Sequence, residues 1–144
     1  MSITSALCTS FKQEILVGTH NFTASSGNTF KLALYTSSAT LNASTTAYTT
    51  SNEVSGTGYT AGGTTLSSQS VTLDTTNGVA FFDAADPSFT SATITARGAL
   101  IYNNTKSNAA IAVLDFGSDF SSSNGTFQVQ FPTAAHNTAL IRIS

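Results

Sequence analysis

The chain contains few charged residues, a single cysteine and no tryptophan. Of its 144 residues, five are Lys or Arg and seven are Asp or Glu, whereas a typical globular chain of this length carries about 36 charged residues. A net charge of −2 with no basic cluster argues against nucleic acid as a partner, because neutralising phosphates requires grouped Lys and Arg. The lone Cys8 excludes an internal disulfide framework and a cysteine-rich metal site.

Long apolar segments are also missing. The longest apolar runs have about six residues, whereas a membrane span needs roughly 20, so no membrane partner is expected. The first Lys is Lys12, and residues 2–10 mix Ser, Thr and Ile, so a secretory signal is not recognisable. Uncharged, β-rich compositions are common on extracellular surfaces. A particle that is assembled in the host cytoplasm and released by lysis reconciles such a composition with the lack of a recognisable secretory signal.

Hydroxyl and amide side chains supply the polarity that charges do not. The sequence holds 21 Ser, 25 Thr and 10 Asn, together with 40% hydrophobic residues and ten Phe. This apolar content is enough for a real core, so the chain is predicted to form one globular domain over residues 1–144.

The N-terminal residues 1–24 are predicted to form a helical segment or arm. Gly18 stands where a helix C-cap is expected, and Ser10 with Gln13 suggests a capping box, so the most reliable helical stretch is 10–17. Within residues 1–24, four apolar residues recur at every fourth position, which is typical of a helical stripe: Ile3, Leu7, Phe11 and Ile15.

Beyond about residue 28 the apolar period becomes two, which is typical of half-buried strands. Residues 36–70 lose this periodicity and are predicted to form a long loop region rich in Ser, Thr and Gly. Asn77 and Gly78 predict a tight hairpin turn. The chain is therefore predicted to be mainly β, a β-sandwich or jelly-roll-like domain with a short N-terminal helix. The predicted strands are 30–35, 71–74, 79–83, 93–102, 111–116, 126–131 and 139–143.

No motif in the sequence indicates catalysis. His20 and His136 are the two histidines, and a Gly-x-Ser-x-Gly nucleophile elbow is missing. We therefore expect no enzyme, no catalytic residue and no cofactor. Two carboxylate pairs have spacings that calcium loops use, but without the further ligands of a calcium loop, so no metal site is assigned. These pairs are Asp83 with Asp86 and Asp115 with Asp119.

A surface of Ser, Thr and Asn favours contact with other proteins. Removing a charged side chain from water costs several kcal/mol, whereas a hydroxyl group costs less and can find a partner. Low net charge also lets identical copies approach one another. The composition is thus typical of a protein that is packed among other subunits in many copies.

Five segments of the sequence stand out together: residues 11–22, 29–35, 48–59, 96–103 and 113–117. These segments resemble small virion structural proteins of tailed bacteriophages. The resemblance covers most of the chain from Phe11 onward, and its motifs are not catalytic.

This resemblance implies a capsid decoration or cement protein, which binds the outer head and connects neighbouring capsomers. The implied partners are the major capsid protein and further copies of the chain, as a dimer or trimer, and the implied location is the virion. A tail or fibre component that attaches to host glycan is the alternative, with Tyr48 and Tyr59 in the loop region as possible stacking residues. The resemblance carries over no binding residues. We expect the stripe of Ile3, Leu7, Phe11 and Ile15 to bind the shell or a sister subunit, the alternative being packing against the chain's own β-core.

Overall fold

The computed structural model describes residues 2–144 and is mainly β, with 46% of residues in strands and 6% in helix. Two antiparallel sheets and one short N-terminal helix form a β-sandwich, which confirms the predicted fold class. In chain order the elements are β1 (Ala6–Leu7), α1 (Thr9–Leu16), β2 (Phe30–Tyr35), β3 (Thr64–Thr65), β4 (Ser70–Asp74), β5 (Val79–Asp83), β6 (Ser88–Asn103), β7 (Ala109–Gln128) and β8 (Ile141–Ile143).

The larger sheet has the strand order β1-β7-β6-β2-β3, and β6 with β7 forms a long hairpin at its centre. The predicted strands 93–102 and 111–116 lie inside this hairpin but are too short. β7 continues through a Ser-rich stretch to Gln128, so the first half of the predicted separate strand at 126–131 is the end of β7, and residues 129–131 lie outside any strand. Residues 117–125 of this continuation are largely exposed and show no apolar alternation, so periodicity could not identify them as a strand.

The smaller sheet has the order β4-β5-β8. The predicted hairpin between its first two strands is present, and its turn is residues 75–78. Gly78 takes a positive φ of 67°, which glycine adopts without steric cost. Asn77 closes the turn by donating from its backbone N–H and its side chain to the carboxylate of Asp74.

Both faces of the larger sheet are covered within the one chain. Side chains alternate across a sheet, and the face that carries Phe30 packs against Phe22 and Phe82, with ring centroids 4.4 and 5.9 Å away. The opposite face, which carries Tyr35 and Tyr102, is covered by the loop region. The apolar residues at the centre of β6 and β7 are therefore buried from both sides, as their two-faced sequence pattern indicates.

The loop region is a packed layer that holds one short strand, β3. Its chain approaches the sheet most closely at Gly63, which has a φ of +79°. A Cβ at this position would lie 1.8 Å from the backbone oxygen of Leu32, so a side chain does not fit there. Backbone hydrogen bonds from Val54 to Leu34 and from Leu66 to Phe30 anchor the middle and the C-terminal part of the layer to β2.

The helix α1 ends as predicted but begins differently. Gly18 has a φ of 76°, and the N–H groups of Gly18 and Thr19 donate to the carbonyls of Ile15 and Glu14, which is a Schellman motif. The predicted capping box is wrong, because the N-cap is Cys8 and makes no side-chain cap bond. The Ser10 hydroxyl is instead buried without a hydrogen-bond partner.

Candidate interaction surface

The N-terminal stripe divides between the core and its margin. Ile3 and Phe11 are buried in the chain's own core, at 5% and 3% exposure. Leu7 and Ile15 are half-buried and pack against the same core. In the folded chain, Ile3 and Phe11 are thus inaccessible to a partner. The exposed apolar residues of this region are the next two along the chain, Leu16 and Val17, which are 85% and 72% exposed.

An apolar groove of about 490 Å³ lies between the end of α1 and the smaller sheet. Residues 18–23 form one wall, and β4, β5 and β8 form the other. The groove lining contains no Asp, Glu, Lys or Arg, and its one histidine, His20, is buried. The apolar side chains facing it are Ile15, Phe22, Val71, Ala80, Phe82, Ile141 and Ile143.

Strand register explains the apolar wall. Val71 pairs with Phe82 and Phe82 with Ile141, and in the next row Leu73 pairs with Ala80 and Ala80 with Ile143. Since paired residues lie on one face, the two rows form a continuous apolar surface. Phe82 and Ile141 are buried against the larger sheet, whereas Val71, Leu73 and Ile143 are 56 to 71% exposed.

The side chain of His20 forms the polar floor of this groove. The Asn103 amide donates to His20 Nδ1 at 2.9 Å, and His20 Nε2 is 2.9 Å from Glu14 Oε1. Because Nδ1 accepts a hydrogen bond, the proton is on Nε2 and is donated to Glu14. Both ring nitrogens are engaged, so His20 has no free nitrogen to act as a base. Its role is to connect α1 to the sheet.

Asn103 is fully buried and uses its whole hydrogen-bonding capacity. Its Nδ2 donates to Asn28 Oδ1 as well as to His20, and its Oδ1 accepts from the backbone of Thr105 and Lys106. This saturated network stabilises the turn between β6 and β7, which contains Thr105 and Lys106, and the loop that precedes β2.

The remaining candidate groups form no catalytic arrangement. His136 Nδ1 is 3.8 Å from Asp74 Oδ2 at the surface. Burial and the nearby Glu14 raise the pKa of the Cys8 thiol to about 11, so it is a protonated core residue rather than a nucleophile. Among residues 2–144, no group of three or more His, Cys, Asp or Glu is placed to hold a metal ion.

One carboxylate of each predicted pair, Asp86 and Asp115, has structural partners. Asp86 accepts from the backbone N–H of Phe131. Asp115 accepts hydrogen bonds from the Gly117 N–H and from Arg97. These bonds lower the pKa of Asp115 below its ordinary value, and the bond from Gly117 has the largest effect. Each of these two carboxylates orders a local piece of backbone.

The most organised polar site is a tyrosine cluster, made of Tyr35, Tyr48, Tyr59 and Tyr102 around Glu53. Tyr48 and Tyr59 donate to opposite oxygens of the Glu53 carboxylate, each at 2.6 Å. The backbone N–H of Gly62 donates to the same carboxylate at 2.7 Å.

The other two tyrosines of the cluster bond to the backbone of the loop region. Tyr35 donates to the carbonyl of Thr49, and Tyr102 donates to the carbonyl of Gly62, both at 2.6 Å. Burial raises the pKa of each tyrosine above its ordinary value, that of Tyr102 to about 12, and the charge of Glu53 adds to the effect. The cluster holds the loop region against the sheet and therefore has a structural role.

Alkaline destabilisation is the first expected consequence of this cluster. In the unfolded chain the tyrosines have a pKa of about 10, and in the folded chain their pKa values are higher. At a pH between the unfolded and folded values, the folded state retains protons that the unfolded chain has lost. The tyrosine contribution to the free energy of unfolding is therefore fully present below about pH 10 and is lost as pH rises through about 12. Urea unfolding followed by circular dichroism at about pH 8 and about pH 11 measures this loss. Equal midpoints at the two pH values would contradict it.

A second groove of about 550 Å³ lies at the outer end of β7. Its base is formed by three phenyl rings, of which Phe116 lies 6.4 Å from Phe120 and 6.3 Å from Phe127 between ring centroids. Phe120 is half-exposed. The rim carries hydroxyls and amides and no charged group, from Ser121, Thr126, Gln128 and Gln130.

The chain matches no protein-family model, no curated protein and no solved structure. No helix within residues 2–144 has the length and apolar character needed to cross a membrane. Sequence reasoning missed the exposed residues Leu16, Val17, Leu73 and Ile143. The alternation of Val71 and Leu73 identified a strand, but a sequence pattern does not show which strand face stays uncovered.

Proposed function

We propose that the chain is a structural virion protein of a tailed phage, a decoration protein that binds the outside of the capsid and stabilises contacts between capsomers. The observation that carries this proposal is the apolar groove together with four exposed apolar residues, here called its margin. Ile143 lines the groove, Leu73 pairs with the lining residue Ala80, and Leu16 and Val17 stand in the chain between the lining residues Ile15 and Gly18. A fold with no catalytic arrangement among residues 2–144 and a low-charge surface is consistent with a non-enzymatic role.

The groove is suited to a protein partner. Fully burying one aliphatic side chain contributes about 1.5 to 3 kcal/mol, so covering the four exposed residues of the margin provides several kcal/mol. The groove lining has no Asp, Glu, Lys or Arg, so covering it does not require a charged side chain to leave water. Apolar segments of a capsid protein are the expected occupants.

Heating intact particles tests the proposal. Particles assembled without the protein should release their DNA at a lower temperature than complete particles, and adding back the purified chain should restore the release temperature. We expect Leu16→Asp with Val17→Asp to reduce binding to particles at least tenfold, a loss of about 1.4 kcal/mol or more. Ser118→Asp, on the exposed part of β7, is the matched control and should bind normally. Equal release temperatures with and without the protein would contradict a cement role.

A tail or fibre component for host attachment is the second candidate, and the phenylalanine-lined groove favours it. Phenyl rings with uncharged hydroxyl and amide groups at the rim are suited to a neutral sugar, whose apolar face stacks on an aromatic ring. The copy number per particle separates the two candidates, since hundreds of copies indicate decoration and a few copies indicate a tail or fibre position.

A further inference from the structure

β4 is an edge strand whose outer side is free. It pairs with β5 alone, and no backbone hydrogen bond joins residues 70–74 to any other described residue. Unpaired edge strands recruit further strands, and proteins usually block them with Lys, Pro or a bulge. β4 reads Ser-Val-Thr-Leu-Asp and pairs with β5 without a register shift, so it carries no Lys, Pro or bulge, and its one charged residue, Asp74, stands at its last position.

The other free edges are less suited to pairing. Beyond residue 114, β7 has no outer neighbour, but its pairing with β6 contains register shifts, and it carries Asp115 and Asp119. Bulges of this kind twist an edge away from a flat partner. β8 is only three residues long and includes Arg142. β4 is thus the most regular free edge.

The sequence of β4 is complementary to itself. In antiparallel pairing across a two-fold axis at Thr72, Val71 of one copy lies opposite Leu73 of the other. Both residues belong to the apolar face of the smaller sheet and are more than half exposed. The pairing extends the two apolar rows across both copies, so that a six-stranded sheet with one continuous apolar face is formed.

Charge also permits this register. Asp74 is the one charged residue of β4, and the two-fold arrangement places it opposite Ser70 of the second copy. Like charges that lie directly opposite each other destabilise strand pairs, and this register avoids such a contact. A parallel arrangement in register would instead place the two Asp74 carboxylates side by side.

We propose that two copies of the chain associate through β4, antiparallel and centred on Thr72. This inference goes beyond the proposed function, since it concerns the isolated chain and holds whether or not the chain binds a capsid. A five-residue strand buries less than the roughly 800 Å² per partner of a stable interface, so the dimer forms at high concentration. On a particle that binds many copies, the high local concentration favours the same contact.

Cross-linking at the axis tests the geometry. Directly opposite residues of antiparallel strands have Cα atoms about 4.5 to 5.5 Å apart, a separation that a disulfide spans. Under mild oxidation, Thr72→Cys should form a covalent dimer at least tenfold faster than Thr90→Cys, another exposed strand position, on β6. The native Cys8 is buried and does not interfere. Equal cross-linking rates would overturn the proposal.

Charge substitutions test the register independently. In sedimentation velocity at high concentration, wild type should dimerise, while Val71→Glu and Leu73→Lys should each weaken association at least tenfold. Mixing the two variants should restore dimers, because Glu at 71 of one chain then faces Lys at 73 of the other. Circular dichroism verifies that each variant is folded. A wild-type chain that remains monomeric, or a mixture that does not recover, would overturn the proposal, whereas particle binding by a monomer would leave the decoration role intact.

Discussion

Replacing Glu53 with Ala is expected to lower the free energy of unfolding by about 3 to 5 kcal/mol. The substitution removes the acceptor for Tyr48, Tyr59 and the backbone N–H of Gly62. Hydrogen bonds to a charged group are worth about 1.5 to 3 kcal/mol each, and donors left without an acceptor in a partly buried site add a desolvation cost. A loss of this size is a large fraction of the stability of a typical domain.

Urea unfolding followed by circular dichroism measures the loss, and two further variants make it specific. Asp119→Ala removes an exposed carboxylate and should change stability by about 0.5 kcal/mol or less. Glu53→Gln keeps one acceptor oxygen and should lie between wild type and Glu53→Ala. Chymotrypsin, which cleaves after aromatic residues, should cut Glu53→Ala at Tyr48 and Tyr59 faster than wild type. If Glu53→Ala and Asp119→Ala were equally stable, the tyrosine cluster would not be what holds the loop region.

Replacing Phe30, on the opposite face of the larger sheet, with Ala should lower the free energy of unfolding by a similar amount, about 3 to 5 kcal/mol. Phe30 is fully buried, stacks on Phe22 with centroids 4.4 Å apart and contacts Phe82 of the smaller sheet. Removing the ring loses its transfer free energy and leaves a cavity where the two sheets meet.

Phe120→Ala provides the matched control, since the same atoms are removed from a half-exposed ring. Its cost should be about 1 kcal/mol, because half of the ring already contacts water. Thermal and urea unfolding of both variants measure the difference. A cost for Phe30→Ala no larger than that for Phe120→Ala would show that the contact between the sheets contributes little.

Much of the fold could be predicted from local patterns in the sequence. Alternation identified residues 30–35 as a strand, and Asn77 and Gly78 located the hairpin turn. The helix end at Gly18 followed from one residue that tolerates a positive φ. Each of these features depends on interactions between neighbours in the sequence, and a sequence pattern records such interactions.

The rest depends on contacts between distant residues. The second half of β7 is Ser-rich and exposed, so its strand conformation comes from pairing with β6 and not from its own composition. In the loop region, Glu53 gains its role from tyrosines 5 to 49 residues away in the sequence. The stripe of Ile3, Leu7, Phe11 and Ile15 predicted an apolar face, but only the fold shows that two of the four are covered by the chain itself.

The position of β1 has a consequence for the order in which the molecule can form on the ribosome. Ala6 and Leu7 pair with Val113 and Ala112, so the first strand has no neighbour until more than a hundred further residues have been synthesised. The strand partner of β1 is therefore synthesised long after β1 itself, and the larger sheet closes at this edge only after the long hairpin has emerged from the exit tunnel.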